Sequence, residues 1–203
     1  MEPFLIIYLI LVLLVGLFLI FYRPIVLGVE KKAFHYNVAR EVYRIAKDND
    51  FYLLNKVALQ LKDGKVIHFD HLLFGDKFIY CIGANYYSIA INGKFNDSSW
   101  FKYRRNNKID IIKNPMRLHR ARVNYLSKLF KSSPDLFLAI VIVNDSCLLP
   151  EYIDEATAFD KIINLKTLKN LIKDHEKRKD ITPMNQEGLQ QMVNIIYENG
   201  VEK

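Results

Sequence analysis

The most pronounced hydrophobic feature of the chain is an unbroken apolar run near its N-terminus. The segment from Phe4 to Tyr22 contains 19 residues without a charge. As an α-helix with about 1.5 Å rise per residue, it covers the ~30 Å of hydrocarbon in a bilayer. A cleavable signal peptide would begin with basic residues and end with small ones, and a buried core helix would have a polar face. The pattern therefore predicts one transmembrane helix.

The charges that flank this helix predict its orientation. Only Glu2 precedes it, whereas several basic residues follow it closely: Arg23, Lys31, Lys32 and Arg40. Lys and Arg in short flanking segments are retained on the cytoplasmic side of a membrane. We therefore expect a single-pass protein of the cell membrane whose C-terminal part is cytoplasmic.

Pro24 and Gly28 are predicted to end this helix and to begin a short linker. The chain then divides into a transmembrane anchor at 1–23, a linker at 24–33 and a folded domain at 34–200. A segment of this length suits one α/β domain better than two.

Periodic apolar positions predict a helix followed by strands. Within residues 35–48, apolar side chains recur at helical spacing: Val38, Val42, Ile45 and Ala46. Residues 52–83 contain β-branched and aromatic runs interrupted by Asp63-Gly64 and Gly75-Asp76, dipeptides that favour tight turns. They predict a meander of three strands, and the residues from Tyr86 predict a fourth.

The sequence pattern of the second half of the domain predicts more helix than that of the first half. After an irregular polar stretch, Asn114-Pro115 predicts the start of a helix that ends near Phe130, and residues 136–143 are typical of a buried central strand. Three shorter elements follow: a strand over 161–165, a helix from Lys166, and a last helix from Asn185 to Gly200. This order predicts an α/β fold, in which helices cover both faces of a mixed β-sheet.

The composition restricts the kind of partner. The chain is 51% hydrophobic and 25% charged, which is ordinary for a globular protein, and its net charge of +7 favours anionic partners such as nucleic acid or phospholipid headgroups. Its two cysteines, Cys81 and Cys147, form no Cys-x-x-Cys motif. A disulfide framework or a structural zinc site is therefore not expected.

A family resemblance becomes visible in the central strands. Residues 68–95 read HFDHLLFGDKFIYCIGANYYSIAINGKF, and Trp100 follows. This stretch resembles the nuclease-related domain (NERD) family, whose pattern is Ile-Asp-His, a turn, a Glu-x-Lys strand, and then a Gly and a Trp. Asn114-Pro115 before a basic helix is similar to the same pattern. The resemblance covers about Phe34 to Glu198, and it implies a restriction-endonuclease-like fold.

The resemblance also implies that the active site is degenerate. In the family, an Asp and a Glu hold a divalent cation, and a Lys helps to activate water for cleavage of a phosphodiester. Asp70 matches the Asp, but the Glu-x-Lys positions fall on Gly83-Ala84-Asn85, and a Gln of the second helix falls on Leu118. One carboxylate and the ammonium group are therefore missing, and no catalytic residue is expected.

A remnant of the site is still expected. Glu41 matches an acidic position of the family and could form with Asp70 a pair of carboxylates that holds Mg²⁺ or Mn²⁺ weakly, although no cofactor is predicted. The vestigial site therefore consists of Glu41, Asp70, Gly83, Asn85 and Leu118. The alternative is an active nuclease with a rearranged site, in which catalytic groups come from neighbours such as Lys65, Asp76 or Lys77.

Basic residues cluster after the predicted strands. Between Phe101 and Lys131 there are ten Lys or Arg residues and one acid, Asp110. In the second predicted helix, four of them share one face: Arg117, Arg120, Lys128 and Lys131. This face predicts a binding site for nucleic acid, DNA or RNA, while a solvated surface is the plainer interpretation.

Three functions are consistent with these observations. The leading hypothesis is a membrane-anchored, inactive NERD-like module that binds nucleic acid or another anionic partner. An active nuclease with a rearranged site is the second hypothesis, and an interaction protein held against anionic lipid is the third. Protein partners cannot be predicted from the sequence.

Overall fold

The structure is a computed structural model that describes residues 3–61, 64–105, 107–149 and 160–200. The chain divides into two compact units, residues 1–37 and residues 38–203.

The N-terminal apolar run is helical, as predicted. Helix α1 spans Pro3–Asn49, and its apolar part contains an 18-residue window of mean hydropathy 2.6, so this helix is long and apolar enough to cross a membrane. The predicted end of the helix at Pro24 and Gly28 is wrong, because α1 continues through both residues. A single proline removes one backbone hydrogen bond, and well-formed turns on either side can tolerate that loss. The orientation across a membrane stays a prediction.

The second unit begins with the last turns of α1 and contains eight strands and three further helices among the described residues. The strands are β1 Tyr52–Gln60, β2 Val66–Phe74, β3 Ile79–Asn85, β4 Ala90–Asn92, β5 Ser99–Tyr103, β6 Ile109–Lys113, β7 Phe137–Val143 and β8 Lys161–Asn164. The helices are α2 Pro115–Phe130, α3 Leu168–Glu176 and α4 Gln186–Asn199.

The main sheet has the strand order β1-β2-β3-β7-β8. β1, β2 and β3 form the predicted antiparallel meander, while β7 is parallel to β3 and β8 is parallel to β7. Every residue of β7 is buried, as predicted for a strand in the interior of a sheet. The sheet is therefore mixed, and the predicted α/β class is confirmed.

The prediction of an irregular stretch after the fourth strand is wrong. β4, β5 and β6 form a separate antiparallel sheet of three strands, and β4 is shorter than the strand that was predicted from Tyr86. Charged residues interrupt the alternation in β5 and β6, and only Trp100 in these two strands is fully buried. Apolar residues lie on the solvent side of these strands and two charged residues, Lys102 and Asp110, lie on the core-facing side, so the apolar-in, polar-out pattern that identifies strands is weak here.

Helices cover both faces of the main sheet. On one face, α2 and α4 contribute Val123, Leu126, Leu189, Val193 and Ile196 to a core that includes residues of all four long strands. On the other face, His175 of α3 contacts the ring of Tyr80 of β3, with 6.5 Å between the ring centroids. A second cluster joins the small sheet to β7 and β8 through Ile91, Trp100, Val141, Val143 and Ile162.

Candidate functional site

Asp70 lies on β2 at the point where this strand passes β3. Its Oδ2 atom accepts a hydrogen bond of 3.1 Å from the backbone N–H of Ala84, and the residue is exposed to solvent. The antiparallel pairing of His71 with Ile82 fixes this arrangement. His71 itself is buried, with its Nδ1 atom 2.6 Å from Oδ1 of Asn55, so it has a structural role between β1 and β2.

Gly83, next to Ala84 on β3, lies directly beneath the side chain of His119. A β-carbon on Gly83 would overlap the imidazole ring of His119, far inside van der Waals contact. His119 comes from α2, and it is only 6% exposed. The ring therefore occupies the space into which any side chain at position 83 would extend.

The electrostatic environment of His119 keeps its ring neutral. Burial, together with the nearby guanidinium of Arg122, lowers the pKa of His119 to about 4, and the carboxylate of Asp70 offsets this only in part. Nη1 of Arg122 is 3.3 Å from Nε2 of His119. Because a guanidinium can only donate, Nε2 is the acceptor and the ring proton is on Nδ1.

Asn114 fixes the start of α2 and the loop before β5. Its Oδ1 accepts hydrogen bonds from the backbone N–H groups of Met116 and Arg117, at 2.8 and 3.3 Å. Its Nδ2 donates to the carbonyl oxygens of Phe95 and Asp97, both at 2.8 Å. The side chain is 1% exposed and fully hydrogen-bonded, so α2 and this loop are held together rigidly.

A pocket of about 390 Å³ opens between that loop and α2. It is lined by Phe95, Asn96, Arg117, Arg120, Ala121 and Asn124. The lining contains two guanidinium groups, two amides and no carboxylate, which suits an anionic group such as a phosphate.

Arg120 differs from the other basic residues of α2. Its guanidinium forms an ion pair with Asp160, whose side chain is completely buried. Oδ1 of Asp160 also accepts a hydrogen bond of 3.3 Å from the backbone N–H of Ala139 in β7. Arg120 therefore stabilises the packing of α2 against the sheet, and only part of its side chain reaches the pocket.

Three other basic residues in and just after this helix are exposed, namely Arg117, Lys128 and Lys131. Arg117 and Lys128 share one face of α2. Lys131 caps the C-terminus of α2 in a left-handed backbone conformation, so the helical spacing predicted for it does not apply. In the part of the chain that the structure describes, none of the three forms an ion pair. Their charges are available to a ligand.

The comparison with known families identifies the domain. The model of the nuclease-related domain matches residues 31–144, which is more than half of the 203-residue chain. The chain belongs to the NERD family. A restriction-endonuclease-like arrangement is consistent with its mixed sheet.

A comparison with solved structures finds a similarity to the crystal structure of protein AF1548, which is described as being of unknown function. The identity is 13%, the similarity covers 80% of this chain and 78% of that chain, and the TM-score is 0.39. No curated protein matches the chain.

The NERD pattern explains what is unusual about β3. The Glu of the family would be at Gly83, where His119 fills the space, and the Lys would be at Asn85, which ends β3 and is half-buried. Asp70 is thus brought together with Gly83 and His119, but a second acidic ligand does not come from β3. Leu118, at the position of the family's Gln, is 47% exposed on the surface of α2.

Glu41 is bound to its own helix. Its carboxylate forms an ion pair of 2.7 Å with Arg44, one turn further along α1. Within the described residues, no group of three or more His, Cys, Asp or Glu side chains could hold a metal ion. The weak Mg²⁺ or Mn²⁺ pair of Glu41 and Asp70 stays a prediction, as does the vestigial character of the site.

The turn between β2 and β3 does not supply the missing groups. Glu176 of α3 accepts hydrogen bonds from the Tyr80 hydroxyl at 2.6 Å and from the backbone N–H of Lys77 at 3.0 Å. The ammonium of Lys77 donates to the carbonyl of Arg178. This turn is at the other end of β3, about 13 Å from Gly83 at ~3.3 Å per residue.

Two residues that are important in this region, His119 and Asp160, could not be predicted from the sequence. His119 is next to Leu118, and no pattern distinguishes it from an ordinary helix residue. Asp160 pairs with Arg120 across 40 positions, and this pairing has no local signature. The Gly-and-Trp pattern did contain structural information, because a β-carbon on Gly93 would overlap the ring of Trp100.

Proposed function

We propose that the chain is a membrane-anchored NERD protein that binds nucleic acid and does not cleave it. The observation that supports loss of cleavage most strongly is the overlap between His119 and any side chain at position 83. A single substitution in an otherwise intact site would leave an open place for a metal or a water molecule. Here that place contains a packed imidazole ring.

The chemistry of the remaining groups supports the same conclusion. Hydrolysis with a divalent cation needs oxygen ligands that converge on the metal and a group that stabilises the negative charge of the transition state. Asp70 supplies one carboxylate. The pKa of His119 is about 4, so its ring carries no charge at neutral pH and cannot replace the ammonium of the family's Lys.

Binding is supported by the exposed face of α2. Arg117 and Lys128 are about 16 Å apart along the helix at 1.5 Å per residue, and Lys131 follows as the cap of the helix. Over such a distance single-stranded or duplex nucleic acid presents several phosphates. The pocket beside Arg117 and Asn124 is lined without any carboxylate and suits one of these phosphates. DNA and RNA share this chemistry.

The apolar part of α1 supports membrane anchorage, and the basic residues that follow it support a cytoplasmic domain. A protein with this arrangement would hold its nucleic-acid ligand close to the inner surface of the membrane.

The test is a binding titration of the full chain in detergent with labelled DNA and RNA, at several salt concentrations. We expect Arg117→Glu with Lys128→Glu and Lys131→Glu to weaken binding strongly and to flatten the dependence on salt. Each lost phosphate contact should change the log–log slope by about 0.7 for single strands or about 0.9 for duplex.

The matched control reverses three exposed charges on the other side of the main sheet. Lys173→Glu, Lys177→Glu and Lys179→Glu make the same change in net charge in and just after α3. Equal loss of affinity in both triple variants would contradict a binding site on α2, because it would indicate attraction to net charge alone.

A further inference from the structure

The small sheet has one face that packs on the core and one that faces away from it. The cross-strand pairs Trp100 with Ile112 and Ile91 with Lys102 place the first face on the core. The alternate pairs, Phe101 with Ile111 and Tyr103 with Ile109, therefore share the opposite face. We call these last four residues the outer quartet.

The outer quartet is unusually apolar for a surface. Ile111 is 73% exposed, Ile109 is 56% exposed and Phe101 is 49% exposed, while Tyr103 is half-buried. Single exposed apolar residues are common, but adjacent ones on a sheet face indicate a binding surface. Among the residues that the structure describes, none covers this face.

Basic residues surround the outer quartet. Lys113 is exposed and pairs with Ser99 on the same face, and Arg105 and Lys108 are exposed in the turn between β5 and β6. The acid of this hairpin, Asp110, is on the core-facing side and forms an ion pair with Arg104. The exposed rim of this surface is basic, which favours a partner that combines an apolar interior with negative charge at its edge.

Three occupants can be compared by this chemistry. Nucleic acid would satisfy the cations and a base could stack on Phe101, but the two isoleucines, which are the most exposed side chains of the quartet, would be left without an apolar partner. A second copy of the sheet would cover the apolar residues, but it would bring Lys113, Arg105 and Lys108 close to the same cations of the copy. An anionic bilayer matches both features of this surface. Its headgroup phosphates can contact the basic residues, and the apolar layer beneath them can cover the outer quartet.

We propose that the outer quartet docks on an anionic lipid bilayer, with Phe101, Ile109 and Ile111 entering the headgroup region and the surrounding cations contacting lipid phosphates. The same chain carries a helix long and apolar enough to span a bilayer. This contact uses none of the residues assigned to the nucleic-acid site on α2.

The experiment uses the full chain reconstituted in vesicles and a label on the outer quartet. Both native cysteines are buried, so an environment-sensitive fluorophore attached to Ile111→Cys reports on that position. Vesicles contain either zwitterionic lipid alone or zwitterionic and anionic lipid, each with and without brominated acyl chains. The matched control carries the label at Tyr197→Cys in α4, where the native side chain is 70% exposed.

We expect the label at position 111 to shift its emission to the blue and to be quenched by brominated lipid only in anionic vesicles. Adding Lys113→Glu should reduce this quenching, whereas Lys173→Glu in α3 should not. The control label should behave as if it were in water in both kinds of vesicle.

Other outcomes would overturn the proposal. One is equal quenching of the labels at positions 111 and 197, and another is a label at position 111 that stays in a water-like environment in anionic vesicles. A third is a blue shift that occurs without bromine quenching and that increases with the density of protein in the vesicles. The last result would indicate a second copy. Protection of the label by an oligonucleotide in zwitterionic vesicles would indicate nucleic acid instead.

Discussion

The imidazole of His119 lies in the space that a side chain at position 83 would need, and Gly83 is the residue that permits this packing. The two residues are on different elements, α2 and β3, so they restrict each other through tertiary contact. A glutamate installed at position 83 therefore needs a smaller residue at position 119 before it can reach a metal.

The first prediction concerns this contact. Gly83→Ala should lower the free energy of unfolding by about 1–3 kcal/mol, because overpacking forces backbone or side chains to move. In a His119→Ala background, the same change should cost much less. A double-mutant cycle by thermal or chemical denaturation measures the coupling. Additive effects of the two substitutions would mean that the side chains do not compete for space.

A second prediction follows from the lowered pKa of His119. The unfolded chain binds a proton at this residue near pH 6.5, whereas the folded chain does so only near pH 4, because burial and then Arg122 disfavour the charged ring. The neutral ring's contribution to stability is fully present above pH 6.5 and is lost as the pH falls towards 4. We expect the difference in Tm between the wild-type protein and His119→Gln to shrink across this window.

Arg122 and Asp70 are the charged groups that act on His119. Because both proteins contain these two groups, the comparison of wild type with His119→Gln isolates the proton bound at position 119 across the window from pH 6.5 to pH 4. A constant difference in Tm there would show that His119 does not titrate as a buried neutral group.

The third prediction separates Arg120 from its neighbours. Arg120→Ala should destabilise the protein by about 3–5 kcal/mol, because it leaves the buried carboxylate of Asp160 without its cation. Arg117→Ala, one turn earlier on the same helix, should change stability by less than about 0.5 kcal/mol. Denaturation of both variants in the same detergent measures this contrast. If the two variants have similar free energies of unfolding, Arg120 does not have this structural role.

The elements of the main sheet could be predicted from sequence because each carries a strong local signal. The meander is bounded by turn dipeptides, β7 is a continuous apolar run, and α2 begins at Asn114-Pro115. The small sheet gave no such signal, because its short strands carry apolar residues on the solvent side and the charged residues Lys102 and Asp110 on the core side. Pro24 was misleading because a proline ends a helix only when the surrounding turns cannot absorb the lost hydrogen bond.

The candidate site was predictable only where residue types could be compared with the NERD pattern. That comparison identifies the missing groups at Gly83 and Asn85. It could not identify the residue that fills the space, because His119 reaches β3 through the packing of α2 on the sheet. The same limit applies to Arg120. Its helical spacing predicts an exposed residue, but in the structure it pairs with the buried carboxylate of Asp160.

The central claim is binding without cleavage, and one assay tests it directly. Full-length protein in detergent is incubated with end-labelled DNA and RNA in Mg²⁺ and in Mn²⁺, and both retention and fragment length are measured, with Asp70→Ala alongside. We predict salt-sensitive retention of intact nucleic acid, equal for the wild-type protein and Asp70→Ala. Metal-dependent fragments from the wild-type protein that are absent with Asp70→Ala would contradict the account.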